Sequence, residues 1–172
     1  MTDVIRALVL ACHPVPSAAV TVMTVGLAAG AGNDVGTCLL VAVAVLAGQL
    51  SIGWSNDAID ARRDAAVGRQ DKPVATGGLP VQSVAYAAGA ALIVTIPGSL
   101  ALGWRAGSAQ LLGVTCGWLY NLGLKSTLWS WLPFAIAFGA LPAVATYALP
   151  EPVAPPWWAV VAGALILSLI HI

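Results

Sequence analysis

The chain has 172 residues, 59% apolar and 8% charged, with no formal net charge and a mean hydropathy of +0.90. A soluble domain carries about 25% charged residues, so this composition excludes an ordinary soluble protein and points to a membrane protein. No basic surface is available to bind nucleic acid.

At the N-terminus, Asp3 and Arg6 precede an apolar run that lacks a cleavage-like end, so it does not read as a signal peptide. Apolar runs approaching the length of a bilayer crossing, about 20 residues, follow at 17–31, 36–54, 81–102, 106–120, 131–149 and 157–172. In hydrocarbon only helices and closed barrels satisfy their own backbone. These runs lack the alternation of barrel strands. The expected fold is therefore all-α, a multi-pass transmembrane helical bundle forming a single domain over 1–172. Abundant Gly and Ala let such helices approach closely. Pro97, Pro133 and Pro142 are expected to kink their helices. Cys12, Cys38 and Cys116 are isolated and read as small buried apolar residues. His13, before Pro14, reads as structural.

Counting Lys and Arg by loop sets the orientation. Arg6, Arg62, Arg63, Arg69, Lys72 and Lys125 fall on one side and Arg105 alone on the other. The N-terminus and the acidic segment are thus expected to face the cytoplasm, with the chain in the cell membrane. Trp54, Trp104, Trp129, Trp131, Trp157 and Trp158 lie near span ends, most of them as an interfacial belt.

The second apolar run leads into Asn56-Asp57-Ala58-Ile59-Asp60-Ala61-Arg62-Arg63-Asp64. If the helix continues, Asp57, Asp60 and Asp64 share one face, and Asn56, Asp60 and Asp64 nearly the same one. Crowded carboxylates repel unless a cation sits among them. The simplest candidate is Mg²⁺, a hard ion that takes oxygen ligands and often a substrate phosphate. Gln49, Asn56 and Asp60 continue this stripe into the membrane, with Gly53 between them, which implies a cavity opening beside the carboxylates. Arg69 and Lys72 follow and read as donors to a phosphate. Arg62 and Arg63 read as positive-inside anchors. Tyr120, Asn121 and Lys125 follow the fourth span. Tyr120 and Lys125 are equally consistent with interface anchoring or with a cavity wall and a phosphate contact.

Residues 56–64 resemble the N-D-x-x-D-x-x-x-D motif of the UbiA superfamily of membrane prenyltransferases. Gly68-Arg69-x-Asp71-Lys72-Pro73, Tyr120-Asn121-x-x-Leu124-Lys125 and Trp131-Leu132-Pro133-Phe134 are similar to later segments of that family. Asp57 is unlike the haem O synthase branch. The resemblance implies Mg²⁺-dependent transfer of an isoprenyl group from a prenyl diphosphate to a small acceptor, aromatic or lipid. It implies that Asp57, Asp60 and Asp64 are catalytic and bind metal. Asn56, Arg69, Lys72, Tyr120, Asn121 and Lys125 would bind the diphosphate. Two other activities stay open: phosphoribosyl transfer to a lipid phosphate, and transport of a cation or solute without catalysis.

The family carries a second Asp-rich motif in its later half and roughly nine helices of spanning length, against six runs here. After Asp71 the only acidic residue is Glu151. Residues 167–172, Leu-Ser-Leu-Ile-His-Ile, resemble a translated sequencing adapter. The expectation is a C-terminally truncated chain, inactive alone, in which His171 is no ligand.

Overall fold

The computed structural model describes residues 2–169, so His171 and Ile172 lie outside the described residues. The helices are α1 Thr2–Ala11, α2 Pro14–Ala31, α3 Val35–Ala66, α4 Val81–Leu100, α5 Trp104–Leu122, α6 Leu132–Tyr147 and α7 Trp157–Leu169. Among the described residues there is no strand. Helices α2 to α7 correspond to the six apolar runs, and α1 is an addition.

Helices α2, α3 and α4 are long and apolar enough to cross a membrane, while α6 is apolar but has only 16 residues. At 1.5 Å per residue, the 32 residues of α3 reach about 48 Å, well beyond a hydrocarbon core of about 30 Å. A helix of that length exceeds the hydrocarbon thickness, and its final turns carry the carboxylates.

Short turns fold the chain back on itself. Pro14 starts α2, where its missing N–H costs nothing. Gly32, at φ +99, closes that helix, and Asp34 caps α3 by accepting the Thr37 N–H at 2.8 Å. Asn33 Nδ2 then donates to Ala28 O and Ala145 O, tying this turn to α6. Pro97 and Pro142 lie inside helices as expected. Pro133 does not kink its helix: it occupies the first turn of α6, where the lost donor would be unpaired anyway.

Two apolar clusters hold the ends of the bundle. Ala28, Val41, Ala44, Ala106 and Val144 pack at the Asn33 end. Ala11, Ala61, Val74, Leu79 and Val84 pack at the other, fastening the 67–80 loop to α1, α3 and α4. Trp54 packs against this second cluster, and its Nε1–H donates to Leu8 O at 2.9 Å. Small residues allow the close packing. A Cβ on Gly163 would stand 2.6 Å from Phe138 O, so α7 rests directly on the α6 backbone.

Candidate functional site

Asp57, Asp60 and Asp64 lie on one side of α3, as their spacing requires, and all three are buried, at 1%, 6% and 4% exposure. They divide between two lysines. Lys72 Nζ lies 2.9 Å from Asp57 Oδ1 and 2.9 Å from Asp64 Oδ2. It also donates to Asn56 Oδ1 at 3.1 Å. On the other edge, Lys125 Nζ donates to Asp60 Oδ2 at 2.5 Å, and Arg63 reaches the same oxygen at 3.5 Å from the rim.

Asn56 joins the two edges. Its Nδ2 donates to Asp60 Oδ2 at 3.3 Å and to Asn121 Oδ1 at 3.1 Å. Asn121 in turn donates to Ile52 O and Ser55 Oγ, at 2.9 and 2.8 Å. Both N–H donors of Asn121 are thereby committed to α3, and its Oδ1 accepts from Asn56.

Lys72 reaches the carboxylates because its loop is pinned. Val74 and Leu79 are buried on one side of it, and Arg69 N–H donates to Asp64 O at 3.0 Å on the other. Burial alone would lower the Lys72 ammonium. The Asp64 and Asp57 carboxylates outweigh that and hold it above its ordinary value.

Arg69 does not join this cluster. Its guanidinium forks onto Asp71 at 2.8 and 2.6 Å, and both side chains are exposed. That pairing raises Arg69 and holds the Asp71 carboxyl well below the usual range.

Beneath the cluster lies a mainly apolar, partly open cavity of about 110 Å³ between α2, α3, α5 and α6. Val45, Gln49 and Ile52 of α3 face Tyr120, Phe134 and Phe138 across it. The Tyr120 ring meets Phe134 edge-on at 4.8 Å, and Phe134 stacks on Phe138 at 6.2 Å. Asn56 follows Ile52 by four residues, so the cavity wall runs up to the polar cluster along one face of α3. Gly53 faces elsewhere. A Cβ there would collide with Cys12 O, so this glycine lets the α1–α2 turn lie against α3.

That turn brings in a residue the sequence reading set aside. His13 Nε2–H donates to Asp57 Oδ1 at 3.0 Å. A carboxylate only accepts, so Nε2 carries the proton. The available signal was position alone: a histidine just before the first long helix, at the end where the carboxylates gather.

No group of three His, Cys, Asp or Glu side chains among the described residues is close enough to form a ready-made metal cage. The crowding of the carboxylates is relieved by Lys72 and Lys125. The donor chemistry nevertheless fits a hard cation. Asp57 Oδ2 is a buried oxygen without a hydrogen-bond partner, while Asp64 Oδ2 has the Lys72 ammonium at 2.9 Å. Three buried carboxylates face buried Lys72, half-buried Lys125 and the exposed rim guanidinium of Arg63, so a bound cation would have to displace some of these contacts.

The model of the UbiA prenyltransferase family matches residues 17–172, a match that begins after His13. No curated protein and no solved structure matches the chain.

Proposed function

This chain belongs to the UbiA prenyltransferase family, and from that premise we propose that it binds a prenyl diphosphate with Mg²⁺ at the acidic end of α3. The family is one of membrane prenyltransferases in general. The proposed reaction transfers the isoprenyl group to a small acceptor, aromatic or lipid.

One observation carries the reading: a buried polar cluster caps an aromatic-lined cavity. An amphiphile with a charged head and an apolar tail matches that pairing. The tail would lie among Ile52, Phe134 and Phe138, and the head among Lys72, Lys125 and Asn56. Phosphoribosyl diphosphate has the same head but a polar sugar that this cavity would not satisfy. An ion site for transport would have no use for the cavity.

Asp57, Asp60 and Asp64 would hold the metal, with Asp57 supplying its unpartnered Oδ2 and Asp64 an oxygen that now meets Lys72. Bound Mg²⁺ would supply charge stabilisation to the departing diphosphate. Lys72 and Lys125 would transfer their contacts from carboxylate to phosphate oxygens and share that charge. The C1–O bond breaks with its electron pair leaving on diphosphate. The acceptor then forms a bond to C1 and loses a proton. Tyr120 and Phe134 would present ring faces to the developing cation and exclude water from it. Arg69 would contribute only after releasing Asp71. By the positive-inside pattern, this end faces the cytoplasm.

Equilibrium binding of labelled geranyl diphosphate to the detergent-solubilised chain tests the proposal. Binding should need Mg²⁺ and should be competed by inorganic diphosphate but not by geraniol. Equal competition by geraniol would show that the head is not recognised. Tighter binding of phosphoribosyl diphosphate would favour the other transferase chemistry.

A further inference from the structure

We propose that His13 is a positioning residue for Asp57: its ring fixes Oδ1 and so commits the buried Oδ2 to the metal–diphosphate. The proposal rests on the diphosphate reading above and adds a residue from outside the acidic motif and outside the family match.

Three independent features converge on this role. Asp57 is 1% exposed, and its two oxygens are unequal: Oδ1 meets His13 and Lys72, while Oδ2 has no hydrogen-bond partner. A carboxylate held by one oxygen cannot rotate freely, so the other is presented in a fixed direction.

The second feature is the His13 backbone. At φ 54 it is the only non-glycine with positive φ among the described residues. That conformation is unfavourable for an L residue with a Cβ and persists where the surroundings hold it. It turns the chain between α1 and α2 and carries the imidazole onto α3.

The third feature is how tightly the turn is held. Cys12 O packs against Gly53, where no side chain intervenes, and Ser17 Oγ donates to Cys12 O at 3.0 Å. Gly53 lies one helical turn before Asp57 on α3, so a single contact surface sets both the turn and the reach of the ring. Residues that orient a metal ligand typically change metal affinity by about 10- to 100-fold when removed.

The test uses two variants. His13→Gly removes the ring and relieves the backbone, so folding should survive. His13→Gln restores an N–H donor near the Nε2 position. Titration of the detergent-solubilised chain with geranyl diphosphate at fixed Mg²⁺ should show Kd rising about tenfold or more in His13→Gly, with much of the loss recovered in His13→Gln. A purely structural histidine would change thermal stability and leave Kd alone. An unchanged Kd in His13→Gly would overturn the proposal while the diphosphate reading stands. If the wild-type chain binds no Mg²⁺–diphosphate, the reading falls and this proposal with it. The pair itself is checked by ¹⁵N-histidine NMR, in which Asp57→Asn must move the ring signal that His13→Gly removes. A signal that stays in place would also overturn it.

Discussion

The two ends of α3 treat their carboxylates in opposite ways. At the N-terminal end, Asp34 is exposed and its ring of partners is local: the Thr37 N–H and hydroxyl, three residues away. The Thr37 amide lowers its carboxyl, and the residue serves as a helix cap. At the C-terminal end, Asp57, Asp60 and Asp64 are buried, and their partners come from a turn, a loop and the short 3-10 turn that follows α5: His13, Lys72 and Lys125. A cap needs only its own helix. Three buried charges assembled from distant segments are expensive to desolvate, and a fold that keeps them has a use for them beyond ending a helix. The apolar cavity runs along α3 from Val45 up to this end.

Substitutions that break this contrast should differ in size. The largest effect belongs to Lys72→Met, which leaves Asp57 and Asp64 buried without their shared cation. Removing one partner of such a pair costs about 3–5 kcal/mol, read as a lower unfolding midpoint in detergent. Asp34→Asn at the other end should lose only part of a cap, well under about 1 kcal/mol. Next comes Gly53→Ala, whose Cβ must push the α1–α2 turn away from α3. Overpacking of this kind costs about 1–3 kcal/mol, and Mg²⁺–diphosphate binding should weaken with it.

A smaller, more selective effect is expected from Gly113→Val, which places a side chain at the cavity wall. Affinity for long prenyl diphosphates should fall while affinity for inorganic diphosphate is kept, measured by competition binding. The smallest effect belongs to Arg69→Gln. Its exposed pair with Asp71 should leave both unfolding midpoint and cluster geometry unchanged.

The same contrast has a pH signature in the loop. The Lys72 pKa is raised above its ordinary 10.5 in the folded chain. Its contribution is therefore complete below that value and lost as pH rises through the higher, folded one. Asp71 is lowered from 3.8, so its contribution is complete above that value and lost as pH falls. Between these limits neither group adds a slope to stability. In the wild-type chain these two groups should thus add no slope to the unfolding midpoint from about pH 6 to about pH 9, read by thermal melts in detergent.

Much of this was legible in the sequence because it depends on local periodicity. The six apolar runs, the shared face of Asp57, Asp60 and Asp64, and the approach of the Gln49 stripe to the acidic segment all follow from helical spacing. What was not legible depends on tertiary packing. Arg69 and Lys72 have the same sign in the same loop, and only the burial of Val74 and Leu79 turns Lys72 inward. Asn121 resembles a ligand until the carbonyl of Ile52 and the hydroxyl of Ser55 take up its donors. Pro133 looks like a kink until the helix is seen to begin there. His13 depends on a left-handed turn and on a glycine forty residues later, which no local pattern links.

Electron–nuclear double resonance with Mn²⁺ in place of Mg²⁺ tests the central claim most directly. With ¹³C-carboxyl aspartate and a prenyl diphosphate bound, the ion should couple both to ³¹P and to aspartate ¹³C. Replacing Asp57, Asp60 and Asp64 together by Asn should abolish the carbon coupling. An ion that stays fully hydrated in the wild type, or that keeps its ¹³C coupling in the triple variant, would contradict the account.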